Sequence, residues 1–197
     1  SKIILRNFYE IVVAPGFEKQ SVENFKIKKN LILINSKDIF KKEKTSVRSI
    51  RNGSLIQNIE TKRITKKNFQ TVSKNKKITK KEYEDILFAF KVAKHTKSNA
   101  IVLVKNKQTI GIGAGQMNRY DATRIALMKY KDNFKNKNFV CASDAFFPFI
   151  DSLKILSKNN CKCVVQPSGS INDIEIINYA NKKNIKLVFS KTRTFKH

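Results

Sequence analysis

The stretch TKKEYEDILFAFKVAKHTKSNAIVLV, residues 79–104, decides how the rest of the chain is read. Thr79 and Glu82 stand at capping-box spacing, in which a hydroxyl and a carboxylate satisfy the first free backbone amides of a helix. Behind that start, Tyr83, Ile86, Leu87, Phe90 and Ala93 recur at three- and four-residue intervals, so the segment predicts an amphipathic helix that buries this stripe. His95 falls near the helix end, where a cation complements the helix dipole. After Lys97-Ser-Asn99 the pattern becomes a continuous apolar run, Ala100-Ile-Val-Leu-Val104, as expected of a buried strand. A helix feeding directly into such a strand is the pattern of an α/β layer fold.

The same alternation extends both ways. Downstream come a Lys-Asn-Lys turn and a Gly-rich segment, Gly111-Ile-Gly-Ala-Gly115, read as a loop between strand and helix. A second helix follows from about Asp121, with Ile125 and Met128 on its inner face. Phe139 to Ser143, Cys163 to Gln166 and Ile185 to Phe189 read as strands, separated by helical stretches at 150–158 and 172–182. Upstream, Tyr9-Glu-Ile-Val-Val13, a polar helical stretch and Leu31-Ile-Leu-Ile34 give strand, helix, strand. Residues 36–53 show no clear period, Ser54 to Ile59 is strand-like, and 62–77 reads as a polar surface connection. The expectation is one α/β lobe over residues 1–197, with a less regular part at 1–78 and a motif-bearing part at 79–197.

The chain has 197 residues, of which 41% are hydrophobic, enough for a sizeable core without disulfide staples. Collagenous, coiled-coil and disulfide-scaffold classes are excluded. No run approaches the roughly 18 apolar residues of a membrane span, and no signal-peptide core is present, so a soluble, cytoplasmic protein without membrane contact is expected. Cys141, Cys161 and Cys163 lack a second ligand pair, and reduced thiols are the default. With no partner histidine for His95 and no suitable cysteine spacing, no metal is expected.

The formal net charge is +26. Two readings compete: a groove for a polyanion such as RNA, and lysine-rich solvated faces that follow coding bias, since Lys, Asn and Ile share A- and T-rich codons. The second carries more weight. Arg stands only at 6, 48, 51, 63, 119, 124 and 193, and the lysine runs lack the interleaved aromatics of a single-strand binder.

Three strand ends carry polar or glycine-rich motifs. The Gly111-x-Gly113-x-Gly115 spacing matches neither the dinucleotide fingerprint nor the P-loop, leaving a tight turn or an amide cradle for an anion. Ser143-Asp-Ala-Phe-Phe-Pro-Phe-Ile-Asp151 ends a strand and starts a helix; Asp151 either caps that helix or addresses a ligand. Pro167-Ser-Gly-Ser170 likewise joins a strand to a helix. Ligands of open α/β sheets dock at the carboxyl ends of strands, so these motifs are expected at one sheet edge.

Together with Lys97-Ser-Asn99-Ala-Ile-Val102, Gly111 to Gln116, Arg119 and the terminal Arg193-Thr-Phe195-Lys-His197, these segments occur in the order and spacing of AICAR transformylase. The chain thus resembles the formyltransferase half of the bifunctional purine biosynthesis family, whose other half is IMP cyclohydrolase. The resemblance spans essentially the whole chain, with Phe8 to Pro15 and Gly53 to Gln57 matching weaker segments.

It implies a cytidine-deaminase-like layered α/β fold without the deaminase zinc, duplicated in the family, of which this chain is the C-terminal copy. It also implies transfer of a formyl group from the co-substrate 10-formyltetrahydrofolate to the exocyclic amine of the AICAR ribotide, in a homodimer or in complement to a chain carrying the missing half. By motif, Asn99 orients the carboxamide of the substrate, Phe146 contacts its base through the backbone, and Arg193 pairs with its phosphate. Arg119, Tyr120, Pro148, Phe149, Asp151 and Ser170 would address the folate.

Two departures stand out. Ile150 replaces the family's usual Arg. The family's Lys-His pair, which manages the amine proton, lies upstream of the residues present, and Lys94-His95 falls in a different motif, so no general base is expected in this chain. A piece of a longer polypeptide or of a split gene is the corresponding expectation. The competing class is a basic, non-catalytic module that contacts RNA or another polyanion.

Overall fold

A computed structural model describes residues 1–38, 45–59, 64–75, 77–134 and 138–192, and the chain divides into two compact units, Ser1–Lys62 and Arg63–His197. In the first unit a short helix α1 (Lys2–Leu5) precedes β1 (Ile11–Ala14), α2 (Lys19–Phe25) and β2 (Ile32–Asn35). The two strands pair in parallel, Ile11 opposite Ile32, and Phe25 of the connecting helix is buried with its ring edge-on to Phe17. β3 (Thr45–Ile50) and β4 (Gly53–Asn58) form a separate antiparallel hairpin whose turn carries Asn52 at φ 64°, a conformation asparagine tolerates. β3 is a strand where the sequence pattern gave no period, because every one of its residues is exposed and no buried face imposes an alternation.

The second unit is built on a six-stranded sheet in the order β5-β10-β9-β8-β6-β7. After a single 3₁₀ turn at Lys66–Asn68, its elements are β5 (Phe69–Thr71), α3 (Lys80–His95), β6 (Ile101–Lys105), β7 (Gln108–Gly113), α4 (Arg119–Phe134), β8 (Phe139–Ser143), α5 (Asp151–Ser157), β9 (Cys161–Pro167), α6 (Asp173–Lys182) and β10 (Lys186–Ser190). β8, β9 and β10 run parallel, whereas β6 is antiparallel to β8 and to β7, and β5 is antiparallel to β10. β5 corrects the expectation of a plain surface connection at 62–77: three residues add an edge strand too short to show a period.

Strand pleating sorts the core into two halves. Val102, Val104, Val140, Ala142, Val165 and Val188 pack against Ile86, Ala89, Phe90 and Ala93 of α3. Ile101, Leu103, Cys141, Val164 and Leu187 face Ala122, Ala126 and Leu127 of α4, Leu153 and Leu156 of α5, and Ile176 and Ala180 of α6. This second unit therefore has a helix–sheet–helix layering.

The capping box of α3 forms as read: the Glu82 N–H donates to the Thr79 hydroxyl at 3.2 Å, and the Thr79 N–H donates to the Glu82 carboxylate at 2.8 Å. Helix α4 begins earlier than expected and turns a different face inward. Ala122, Ala126, Leu127 and Tyr130 are buried, while Met128 is 56% exposed. The glycines explain why. Gly111 and Gly113 lie within β7 rather than in a loop, and a Cβ on either would collide with the backbone carbonyls of Ala126 and Ala122 respectively. They let the helix backbone settle directly on the strand, which answers the choice between a turn and an anion cradle for these two positions: they are packing glycines. Among the described residues no helix is long and apolar enough to cross a membrane.

Candidate functional site

The strand register gathers the motif residues of the second unit. Ile101 of β6 lies opposite both Ser143, the last residue of β8, and Gly113, the last of β7. β9 runs parallel to β8 and ends at Pro167. The turn before β6, the loop after β7, the turn after β8 and the loop after β9 thus leave the sheet at one edge, as expected from sequence.

Asn99 sits in the turn before β6, after a cis Ser98–Asn99 peptide. Its Nδ2 donates to the Gln116 and Met117 carbonyls at 2.8 and 3.2 Å, tying this turn to the loop after β7. That loop leads into α4, where the Asp121 N–H donates to the Asn118 side chain at 2.7 Å and starts the helix at Arg119. Tyr120, 36% exposed, carries the Arg124 guanidinium over its ring at 6.0 Å. A cleft of about 620 Å³ runs from Gln116 and Tyr120 past Arg124, Met128 and Lys131 to Ile155.

Arg119 is buried and its guanidinium is committed inside the protein. Nη2 donates to the Asp144 carboxylate at 2.9 Å and Nη1 to the Phe146 carbonyl at 3.0 Å, while Nε has no acceptor among the described residues. Asp144 is fully buried and also accepts from the Ser98 hydroxyl at 2.5 Å and the Ala100 N–H at 3.2 Å. A buried carboxylate needs this many donors, because desolvation is repaid only by pairing and hydrogen bonding.

The turn after β8 is pinned at successive backbone groups. The Ala145 carbonyl accepts from the Ser143 hydroxyl at 2.6 Å, and the Phe146 carbonyl from Arg119. The Phe147 N–H donates to Gln166 Oε1 at 3.1 Å, and the Pro148 carbonyl accepts from Asn172 Nδ2 at 2.6 Å. Phe147 is fully buried and anchors the turn, whereas Phe149 is 61% exposed. Asp151 opens α5, its carboxylate accepting from the Ser152 N–H at 2.6 Å. Ser170, after β9, accepts from the Asn172 N–H at 3.2 Å, and the Gly169 N–H donates to Asp173 at 2.8 Å.

Arg193, the expected phosphate partner, lies outside the described residues. The other expected site residues, Asn99, Arg119, Tyr120, Phe146, Pro148, Phe149, Asp151 and Ser170, all belong to the segments at this edge. Sequence reasoning assigned no role to Ser98, Asp144, Gln166 or Asn172, which hold those segments together. A signal existed: Asp144 directly follows β8 and Gln166 follows the apolar run Cys163–Val165 of β9, and both are fully buried.

The three cysteines are free and buried, and burial, aided by their neighbouring thiols, pushes each thiol up from its ordinary value. They stay protonated and inert as nucleophiles. No group of three or more His, Cys, Asp or Glu side chains among the described residues is arranged to hold a metal ion.

The AICARFT/IMPCHase bienzyme family model matches residues 1–129, the segment that holds Asn99, Gln116, Arg119 and Tyr120. The chain belongs to this family. Its similarity to whole members extends further. It is 45% identical to the bifunctional purine biosynthesis protein PurH of Buchnera aphidicola subsp. Schizaphis graminum, over 100% of this chain and 38% of that protein. Against PurH of Prochlorococcus marinus subsp. pastoris it is 46% identical, over 96% of this chain and 37% of that protein. The chain thus spans less than two fifths of these bienzyme relatives. Among solved structures, the apo dCMP deaminase of cyanophage S-TIM5 matches with a TM-score of 0.38 at 12% identity, covering 56% of this chain and 98% of that one. The relatives carry a purine-biosynthesis name, and the polyanion-binding alternative draws no support from them.

Proposed function

We propose that the strand-end edge of the second unit is the pocket for the AICAR ribotide and 10-formyltetrahydrofolate in a purine-biosynthetic formyltransferase. In this reading the second unit is a cytidine-deaminase-like lobe that works without the deaminase zinc, and the chain serves a longer or complemented, homodimeric assembly in the cytoplasm. The observation that carries the reading is the gathering of the Asn99, Arg119, 146–151 and 168–170 segments at one sheet edge, in a chain of the AICARFT/IMPCHase family.

In the proposed reaction the exocyclic amine nitrogen of AICAR bonds to the formyl carbon, the carbon–N10 bond of the folate breaks, N10 gains a proton and the amine loses one. The chain's own part is to bind and orient. Asn99 fixes the carboxamide beside the amine, Phe146 offers its backbone to the base, and Arg193 meets the phosphate with a charge-assisted contact. The exposed Phe149 ring, beside a Pro148 carbonyl already held by Asn172, fits the flat face of a pterin. Asp151 and Ser170 supply polar contacts beside it, and Arg119 and Tyr120 complete the folate wall. Asn99 has no titratable function and cannot take the amine proton, a role that this reading leaves to the longer or complemented assembly.

Steady-state formyl transfer by the full-length polypeptide tests this. Asn99→Ala and Arg193→Ala are expected to raise KM for AICAR about tenfold or more with KM for the folate within about twofold, and Asp151→Ala to do the reverse. Equal losses for both ligands in all three variants would sink the assignment.

A further inference from the structure

We infer that Asp144 is a positioning residue for the AICAR base, holding, with Arg119 as its link to one of them, the two segments that meet it. The inference rests on the proposed ribotide pocket. Asp144 is 0% exposed, and its carboxylate accepts from three donors in two directions. Toward the first segment, the Ser98 hydroxyl and the Ala100 N–H donate to it at 2.5 and 3.2 Å, gripping the chain on either side of Asn99, and the Asp144 N–H donates back to the Ala100 carbonyl at 3.2 Å. Toward the second, Arg119 Nη2 donates to it at 2.9 Å while Nη1 donates to the Phe146 carbonyl at 3.0 Å. One carboxylate therefore fixes the distance between the Asn99 and Phe146 segments.

Stability alone gives little reason for such a pair, since a buried ion pair is often matched or bettered by apolar residues of the same volume. What apolar residues cannot do is aim a carbonyl and a turn at a common point. The neighbouring bonds serve the same end: Ser143 holds the Ala145 carbonyl and Gln166 the Phe147 N–H, so the peptide groups flanking Phe146 have little freedom to rotate. Arg119 joins the two segments with two of its five N–H groups, one on Nη1 to the Phe146 carbonyl and one on Nη2 to Asp144.

The test is calorimetric titration of the full-length protein with AICAR and, separately, with 10-formyltetrahydrofolate, alongside thermal midpoints, for Ser98→Ala, Asp144→Asn and the Ser98→Ala/Asp144→Asn pair. Asp144→Asn is expected to weaken AICAR at least about tenfold with the folate within about twofold, a selectivity that a general loss of structure would not give. Ser98→Ala should reproduce part of that loss, again for AICAR alone. The double variant should be no weaker than Asp144→Asn, because both changes act through one carboxylate. Parallel losses for both ligands, or unchanged AICAR affinity, overturn the inference. Should Asp144→Asn not fold, Ser98→Ala decides the matter alone: unchanged AICAR affinity there overturns it equally. A parent protein that binds neither ligand refutes the pocket itself, a distinct outcome.

Discussion

The two units of this chain handle apolar side chains in opposite ways. In the first, Ile11 and Val13 of β1, Ile32 and Ile34 of β2, and Val47, Leu55 and Ile56 of the hairpin are between 42% and 70% exposed. In the second, Ile101, Val102, Leu103 and Val104 of β6 and Cys163, Val164 and Val165 of β9 are all 0% exposed. Both units contain parallel strands joined by a helix, so local sequence preference does not separate them. The difference is the number of layers: a pair of strands with one short helix cannot cover two sheet faces, whereas six strands between helices can. The core energy of the described chain sits in the second unit, and so does the candidate site.

The largest expected effect breaks the chain at the unit boundary. A fragment of residues 63–197 should unfold cooperatively with native-like far-ultraviolet dichroism, while residues 1–62 alone should show no cooperative transition; a cooperative transition in the shorter fragment would erase the contrast. Next, Phe90→Ala, emptying a fully buried site, should cost about 3–5 kcal/mol in denaturant unfolding, against about 0.5 kcal/mol or less for Leu55→Ala, which is 57% exposed. Gly113→Ala should then cost about 1–3 kcal/mol, because the added methyl meets the Ala122 carbonyl of a helix that cannot move without disturbing the core.

The smallest effect concerns charge. Against the upward push of its partial burial, the Lys186 ammonium, 2.6 Å away, and the Thr79 N–H and hydroxyl hold the Glu82 carboxyl below its ordinary value of 4.5. A lowered carboxyl stabilises the fold above its unfolded value and loses that contribution as pH falls through the folded one. Glu82→Gln should therefore cost on the order of 1 kcal/mol at neutral pH, and the gap to the parent should close as the pH falls below about 4.5. Glu23→Gln, which breaks an exposed pair with Lys26 in the first unit, should cost no more than about 0.5 kcal/mol at neutral pH.

The second unit was the more legible in sequence, for the same reason that it holds most of the buried core. Buried strands such as Phe139–Ser143 and the capped, striped helix α3 leave strong periodic signals because burial imposes them. The exposed β3 and the three-residue β5 leave none. Met128 was placed inward from its hydrophobicity, although the close approach at Gly111 and Gly113 determines which face of α4 meets the sheet, and that is a tertiary fact. At the site, the residues that match the family's motifs were readable one by one. The carboxylate that joins them was not, because Asp144 reaches Ser98, Ala100 and Arg119 across sequence separations that no local pattern reports.

The central claim is that the strand-end edge of the second unit is where AICAR binds, and amide chemical-shift mapping of the isotope-labelled chain during AICAR titration tests it most directly. The expected perturbations concentrate at residues 98–100, 115–120 and 145–151, with the first unit unmoved. Saturable shifts confined to the cleft between Arg124 and Ile155, or to the first unit, would contradict it.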